Sequence, residues 1–436
     1  MADRRVAITG LGVVTPAGIG IDALWEALLE GRRAVGPIRA FDASGFPCRI
    51  GGELEGFSAR KFVPKNYRKS VKVMARDIEI AVAAADLAFR DAGLATSGVE
   101  EGDPIKPGRS GCNIGAGLIC ADLDELGQAI STSVVDGRFD LKTRGAGGMD
   151  NLTPLWLLKY LPNMLACHVT IIHGIEGPSN NITCGGASSH LAALESARWI
   201  ARGEADLAVA GGAESKLNPM GLLRQGFLGR LCTRNNEDGA AACRPFDAGH
   251  AGTVIGEGGG LVILEEVERA RARGARVYAE LAGAASACDP DGIEVTRPTV
   301  GSIALAARKA MDDAGIGPED VGLIVTHGSG APGEDSLEAA AWREALGDAV
   351  DRVPAAAITG AMGDLFAGAG GVELAVAAKA VRTGTIPPTI NFVTPAEGCG
   401  LAFSGAPRDA AVEYALTGAF ATGGQSGVCV LKRSRA

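Results

Sequence analysis

The stretch Gly177-Pro178-Ser179-Asn180-Asn181-Ile182-Thr183-Cys184-Gly185-Gly186-Ala187-Ser188-Ser189-His190 decides the fold. Gly-Pro marks a turn, and the short run after it reads as a strand. The paired glycines give a tight turn, and small polar residues then open a helix. The helix pattern continues over residues 189–202, and residues 206–212 (DLAVAGG) form a buried strand. Strand, glycine turn, helix and strand together make a βαβ unit.

The same grammar extends outward in both directions. Residues 5–14 (RVAITGLGVV) are an apolar, β-branched run that ends at Thr15-Pro16, a strand and a turn. Residues 21–31 and 77–92 carry helical periodicity, the second closed by Gly93, and 110–117 read as a buried strand. Residues 137–151 are rich in glycine and charge and are expected to be a surface loop. Residues 157–167 are expected to be helical, and His168 and His173 to flank a buried strand. Strands are expected at 277–285, 322–326 and 427–432, with helices at 302–314, 335–346 and 370–382. The segments 192–208 and 372–386 look like counterparts, so the chain divides into related halves, 1–260 and 261–436.

Composition narrows the function. With 47% apolar and 21% charged residues, the 436-residue chain can bury a large core. Its 63 glycines favour close helix–strand layering. A net charge of −9 argues against nucleic acid or an anionic membrane as the main partner. The ten cysteines show no zinc-type spacing and no secretory leader precedes them, so reduced thiols in a cytoplasm are expected. No apolar run is long enough to span a bilayer, and neither a metal nor a cofactor is expected.

Several further motifs recur in a fixed order. They are RVAITGLGVVTP (5–16), AGGAES (210–215), RPFD (244–247), IGEGGG (255–260), HGSGAPGEDSLE (327–338), GAGGVE (368–373), IPPTIN (386–391) and Gly423-Gly424. With the Gly177 stretch, they make nearly the whole chain resemble the β-ketoacyl synthases, which elongate acyl chains by decarboxylative condensation. The resemblance implies an α/β, thiolase-like fold of five αβαβα layers with two related halves. It also implies a dimer whose pocket is completed across the interface.

The chemistry of that family needs a cysteine at the helix start, two histidines, a lysine and an oxyanion hole of backbone N–H groups. Position by position, the cysteine is replaced here by Gly186. The first histidine is present as His327, followed by Asp335 and Glu338. The lysine position holds Thr359 and the second histidine position holds Asp364. A carboxylate where an enolate oxygen would form has the wrong sign, opposing it by about 4 kcal/mol at an effective dielectric near 20. The family's phenylalanine gate reads Ala421-Thr422-Gly423-Gly424.

The amides of Gly186 and Thr422 are expected to point into the pocket, and Thr296 and Ser329 to contact a pantetheine arm. Glycine at 186 is also expected to relieve backbone strain at the turn. Cys184, two residues early, is the alternative nucleophile, although its position suits a packed thiol. Ser188, Ser189 and His190 point different ways on a helix and make no catalytic pair. His327 either contacts ligand or ties its loop to the next helix. Glu257 and Glu373 are expected to be structural.

The resemblance therefore implies a degenerate ketosynthase similar to a chain-length factor, in fatty-acid or polyketide-type biosynthesis. Such a subunit pairs with a catalytic ketosynthase and shapes an acyl tunnel. Acyl-carrier binding would need a local basic patch. The alternatives are non-condensing acyl transfer or thioester hydrolysis through His327 with Cys184 or water, and a homodimer that binds acyl chains or acyl carrier protein.

Overall fold

The computed structural model describes residues 4–290 and 299–435. Thr296 lies outside the described residues. Ten strands share one hydrogen-bonded path: β1 (Val6–Thr15), β2 (Ser110–Gly115), β3 (Ser179–Ile182), β4 (Leu207–Ser215), β5 (Glu257–Glu266), β6 (Ala279–Cys288), β7 (Val321–Thr326), β8 (Ala355–Ala357), β9 (Tyr414–Phe420) and β10 (Gln425–Lys432). The order along the path is β3-β2-β4-β5-β1-β6-β10-β9-β7-β8.

Each run of five repeats one arrangement. If the strands of each half are numbered in chain order, both read 3-2-4-5-1 from the outer edge inward. The halves join where β1 and β6 pair antiparallel through Val6↔Leu281, Ala7↔Glu280 and Ile8↔Ala279. Residue 260 lies within β5, and the chain passes from β5 to β6 through residues 267–278.

The main helices are α1 (Ile21–Leu29), α2 (Arg76–Asp91), α3 (Leu123–Ser131), α4 (Met164–His173), α5 (Ser188–Ala201), α6 (Pro219–Phe227), α7 (Val300–Ala314), α8 (Pro332–Leu346) and α9 (Ala369–Thr383). Helices α5 and α9 touch strands of both halves and form the middle layer. Helix α2 covers the outer face of the first half, α7 covers that of the second, and α8 packs on α7. The middle layer is close because its residues are small. A β-carbon on Gly371 in α9 would stand 1.9 Å from the Gly260 carbonyl oxygen of β5. Only glycine lets helix and strand backbones approach that closely.

Two sequence expectations are corrected. Residues 168–173 are helix rather than strand, because Leu165, Val169 and Ile172 bury at helical spacing. Val169 through Ile172 is β-branched, which mimics a strand, but that run is too short for its period to decide. Pro162 precedes this helix, and residues 157–160 hold only the end of a 3-10 turn. The expected loop at 137–151 contains a short helix, Leu141–Ala146, capped where Thr143 N donates to Asp140 Oδ1 (2.6 Å).

Candidate functional site

The turn between β3 and α5 sits against the end of β9. Cys184 N donates to Ser188 Oγ (2.8 Å), and Gly185 takes the left-handed φ of +50°. Gly186 does not have a positive φ, so relief of torsional strain is not its role. It is glycine for lack of room: a β-carbon would stand 2.7 Å from the Phe420 carbonyl oxygen and 3.4 Å from His327 Cε1. Among the described residues, the Gly186 and Thr422 amides have no intrachain hydrogen-bond partner, and both residues line the cavity in front of the turn.

That cavity, about 330 Å³, also admits His327 and Asp364 to its wall. His327 directly follows the buried strand β7, and its loop is tied to α8 by two carboxylates. Glu338 accepts the His327 and Gly328 amides (both 2.9 Å), and Asp335 accepts the Gly330 amide (3.0 Å). The ring meets Glu373 on α9, with Nδ1 3.2 Å from Oε1, while Nε2 is 4.0 Å from Asp364 Oδ1. Burial alone would lower the imidazole pKa. The Glu373 hydrogen bond and the charges of Asp364, Glu373 and Glu338 outweigh it and raise it to about 10. The neighbouring carboxylates favour the protonated ring, which is anchored through Glu373 and faces the cavity.

Asp364 is held by the backbone and by a cation. Its Oδ1 accepts the Phe366 amide (2.8 Å), and Arg230 Nη2 approaches its Oδ2 at 3.5 Å. Arg230 also forms a bidentate pair with Glu334 (2.6 and 2.7 Å). Burial pushes the Glu334 carboxyl up, but Arg230 holds it below the ordinary value. Lys216, which also lines the cavity, pairs with the buried Glu214. A second cavity of about 260 Å³ adjoins this one, and Arg230, Glu334, Leu228 and Thr422 line both.

The profile of the beta-ketoacyl synthase N-terminal domain matches residues 3–270, and that of the C-terminal domain matches residues 278–393. The chain belongs to the β-ketoacyl synthase family. It is 34% identical to the 3-oxoacyl-[acyl-carrier-protein] synthase 2 of Vibrio cholerae over 439 residues, covering 99% of this chain and 100% of that one. Among solved structures, it superposes on the ishigamide ketosynthase/chain length factor with a TM-score of 0.83 at 26% identity. That match covers 99% of this chain and 100% of the other. A chain from the complex of a type II polyketide acyl-carrier protein with its ketosynthase matches with a TM-score of 0.85 at 27% identity, with the same coverage. These relatives place the family in fatty-acid and polyketide biosynthesis, and the large mixed sheet agrees with their thiolase-like fold.

Within this β-ketoacyl synthase fold, Gly186, His327, Asp364 and Thr422 come together at the cavity. Thr359 does not line it. It is buried, and its Oγ1 donates to the Gly328 carbonyl. Ser329 is buried as well, and its Oγ accepts the Ala331 amide (3.2 Å). Cys184 is half-buried beside the turn, and burial pushes its thiol up, which is the reverse of an activated nucleophile. Ser189 donates to the Ala367 carbonyl (2.5 Å), and His190 Nε2 meets Thr417 Oγ1 (3.1 Å), so the two make no catalytic pair. Glu257 is structural, bound to Arg76, the Leu54 amide and the Ser215 hydroxyl.

Sequence reasoning did not reach Arg230, Lys216 or Gln225, and Glu334 was visible only as part of the HGSGAPGEDSLE motif. Glu214 was visible only as part of the AGGAES motif. Arg230 and Glu334 are 104 residues apart, and only the tertiary fold makes them a pair.

Proposed function

We propose that this chain is a non-condensing subunit of the ketosynthase type, similar to a chain-length factor. It pairs with a catalytic ketosynthase and helps to shape the tunnel that holds a growing acyl chain. The observation that carries this reading is Gly186. The nucleophile position has no side chain, and the Phe420 carbonyl stands where a thiol-bearing carbon would be crowded out. Asp364 and Thr359, in place of a histidine and a lysine, remove the groups that would assist decarboxylation.

Two surfaces support partnership. Most exposed large apolar side chains fall between Leu118 and Ile171, with Leu141 and Leu155 among the most exposed. The edge strand β3 lies within the same half, pairs among the described residues only with β2, and offers its outer backbone edge to a second chain. Residues 60–72 carry Arg60, Lys61, Lys65, Arg68, Lys69 and Lys72 with no acidic residue, in a chain of net charge −9. Such a patch suits an acidic acyl carrier protein. Ten free cysteines fit a reducing compartment such as the cytoplasm, and among the described residues no helix is long and apolar enough to cross a membrane.

Hydrolysis or acyl transfer through His327 is the weaker reading. An imidazole held protonated to about pH 10 is not a general base at neutral pH. Purification from the native host tests the pairing. Recovery with a ketosynthase that carries its cysteine is expected, and recovery solely as a homodimer would contradict it.

A further inference from the structure

A cavity of about 480 Å³ lies at the other end of α5 from the glycine turn. Helix α5 starts at Ser188 beside that turn, and its last turn brings Arg198, Ala201 and Arg202 to the cavity wall. Strand β9 marks the same separation. Phe420 at one end lines the cavity in front of the turn, and Tyr414 at the other pairs with Lys432, which lines this one. The wall draws on both halves, with Arg4 and Arg5 just before β1, the first part of β6, and Lys432 at the end of β10.

Five cations and two carboxylates line the cavity. Three of the cations are matched. Arg4 shares Asp206 with Arg109 (3.1 and 2.6 Å), Arg5 meets Glu280 (3.2 Å), and Arg202 meets Glu204 (2.9 Å). Both lining carboxylates are engaged, Glu280 by Arg5 and Asp313 by the Ala284 amide (2.9 Å). Arg198 and Lys432 have no carboxylate partner among the described residues. Lys432 Nζ lies 5.6 Å from the Tyr414 ring centre, a contact that leaves its charge uncancelled. The floor is apolar, with Leu194 and Leu281 buried and Ala282 half-buried. Ala282 falls where β6 bulges against β10, between the pairs Leu281↔Leu431 and Gly283↔Val430.

We propose that this cavity binds an organic phosphate of about nucleotide size, with Arg198 and Lys432 on the phosphate and the Leu194–Leu281 floor under the organic part. The inference is independent of whether the chain condenses acyl groups.

Two unmatched positive charges suit a dianion. A phosphomonoester carries nearly two negative charges at neutral pH and three acceptor oxygens, so one group can take a guanidinium and an ammonium together. A carboxylate brings one charge and two oxygens. Arg4, Arg5 and Arg202 add N–H donors beyond those used in their own ion pairs. Arg198 and Arg202 also complement the C-terminal dipole of α5, but Lys432 stands on a strand and has no such role. Size separates an organic phosphate from the bare ion. A cavity of this volume holds a small organic molecule, and phosphate alone would leave the apolar floor in contact with water.

Calorimetric titration of the purified full chain with AMP, inorganic phosphate and adenosine tests the proposal, at about 0.15 M salt to screen diffuse attraction. AMP is expected to bind, inorganic phosphate at least about tenfold more weakly, and adenosine not detectably. Arg198→Gln combined with Lys432→Gln removes the two unmatched charges and is expected to weaken AMP binding at least about tenfold. Arg60→Gln combined with Lys61→Gln removes the same charge from the basic run at 60–72 and should leave AMP binding unchanged. Absence of AMP binding, phosphate or adenosine that matches AMP, or an equal loss in both double variants overturns the proposal. The order of the three ligands on the unmodified chain decides the matter even if a variant does not fold.

Discussion

The Phe420 carbonyl oxygen stands 2.7 Å from the point a β-carbon on Gly186 would occupy. Restoring a cysteine there therefore means more than adding a thiol. The end of β9 must move, and overpacking of this kind costs about 1–3 kcal/mol. Gly186→Cys is expected to lower stability by that amount in urea denaturation, and Gly186→Ala by a similar amount. Neither is expected to confer condensation, because Thr359 and Asp364 remain.

Arg230 holds two carboxylates at once. Arg230→Met leaves Glu334 and Asp364 without their shared cation, and breaking a buried pair from one side costs about 3–5 kcal/mol. Combining it with Glu334→Met should recover a large part of that loss. A double-mutant cycle by chemical denaturation measures the coupling, and additive single effects would show that the pair contributes little.

The His327 imidazolium makes stability depend on pH. Its folded pKa of about 10 lies above the ordinary 6.5, so the folded chain holds a proton that the unfolded chain has released across that window. The contribution is full below about pH 6.5 and is lost as pH rises towards 10. The slope of unfolding free energy against pH is expected to be negative there and shallower in His327→Asn. Nitrogen-15 NMR of the ring should show both nitrogens protonated through pH 8.

The fold and the site were unevenly legible in the sequence. Gly186, His327, Asp364 and Thr422 were readable because they hold fixed positions in motifs whose order is rigid. Thr359 was readable as the residue at the lysine position, but its hydroxyl turns to the Gly328 carbonyl, and nothing in a linear pattern reports that direction. Residues 168–173 were misread because β-branched residues carry strand propensity, whereas burial of Leu165, Val169 and Ile172 settled the conformation as helix. Lys216 and Arg230 were not singled out as partners: Glu214 lies only two residues before Lys216, whereas Glu334 reaches Arg230 across 104 residues through the fold.

The middle layer depends on glycine. Gly371→Ala puts a β-carbon 1.9 Å from the Gly260 carbonyl oxygen, backbone against backbone, with no side chain to yield. Loss of about 3 kcal/mol or failure to fold is expected, judged by circular dichroism and denaturation. Gly127→Ala, on α3 with open space around it, is the control and should be tolerated.

The basic run at 60–72 should govern carrier association. Charge reversal at Lys65, Arg68 and Lys69 together is expected to weaken binding of acyl carrier protein about tenfold or more at low salt, with a smaller effect at high salt. Surface plasmon resonance at two ionic strengths measures it, and unchanged binding would place the carrier elsewhere.

Condensation by the purified chain alone is the most direct test of the central claim. The chain is incubated with acyl- and malonyl-carrier thioesters, and 3-oxoacyl product is sought by mass spectrometry. The account predicts none without a cysteine-bearing ketosynthase. Formation of 3-oxoacyl product by the isolated chain, over repeated turnovers, would contradict it.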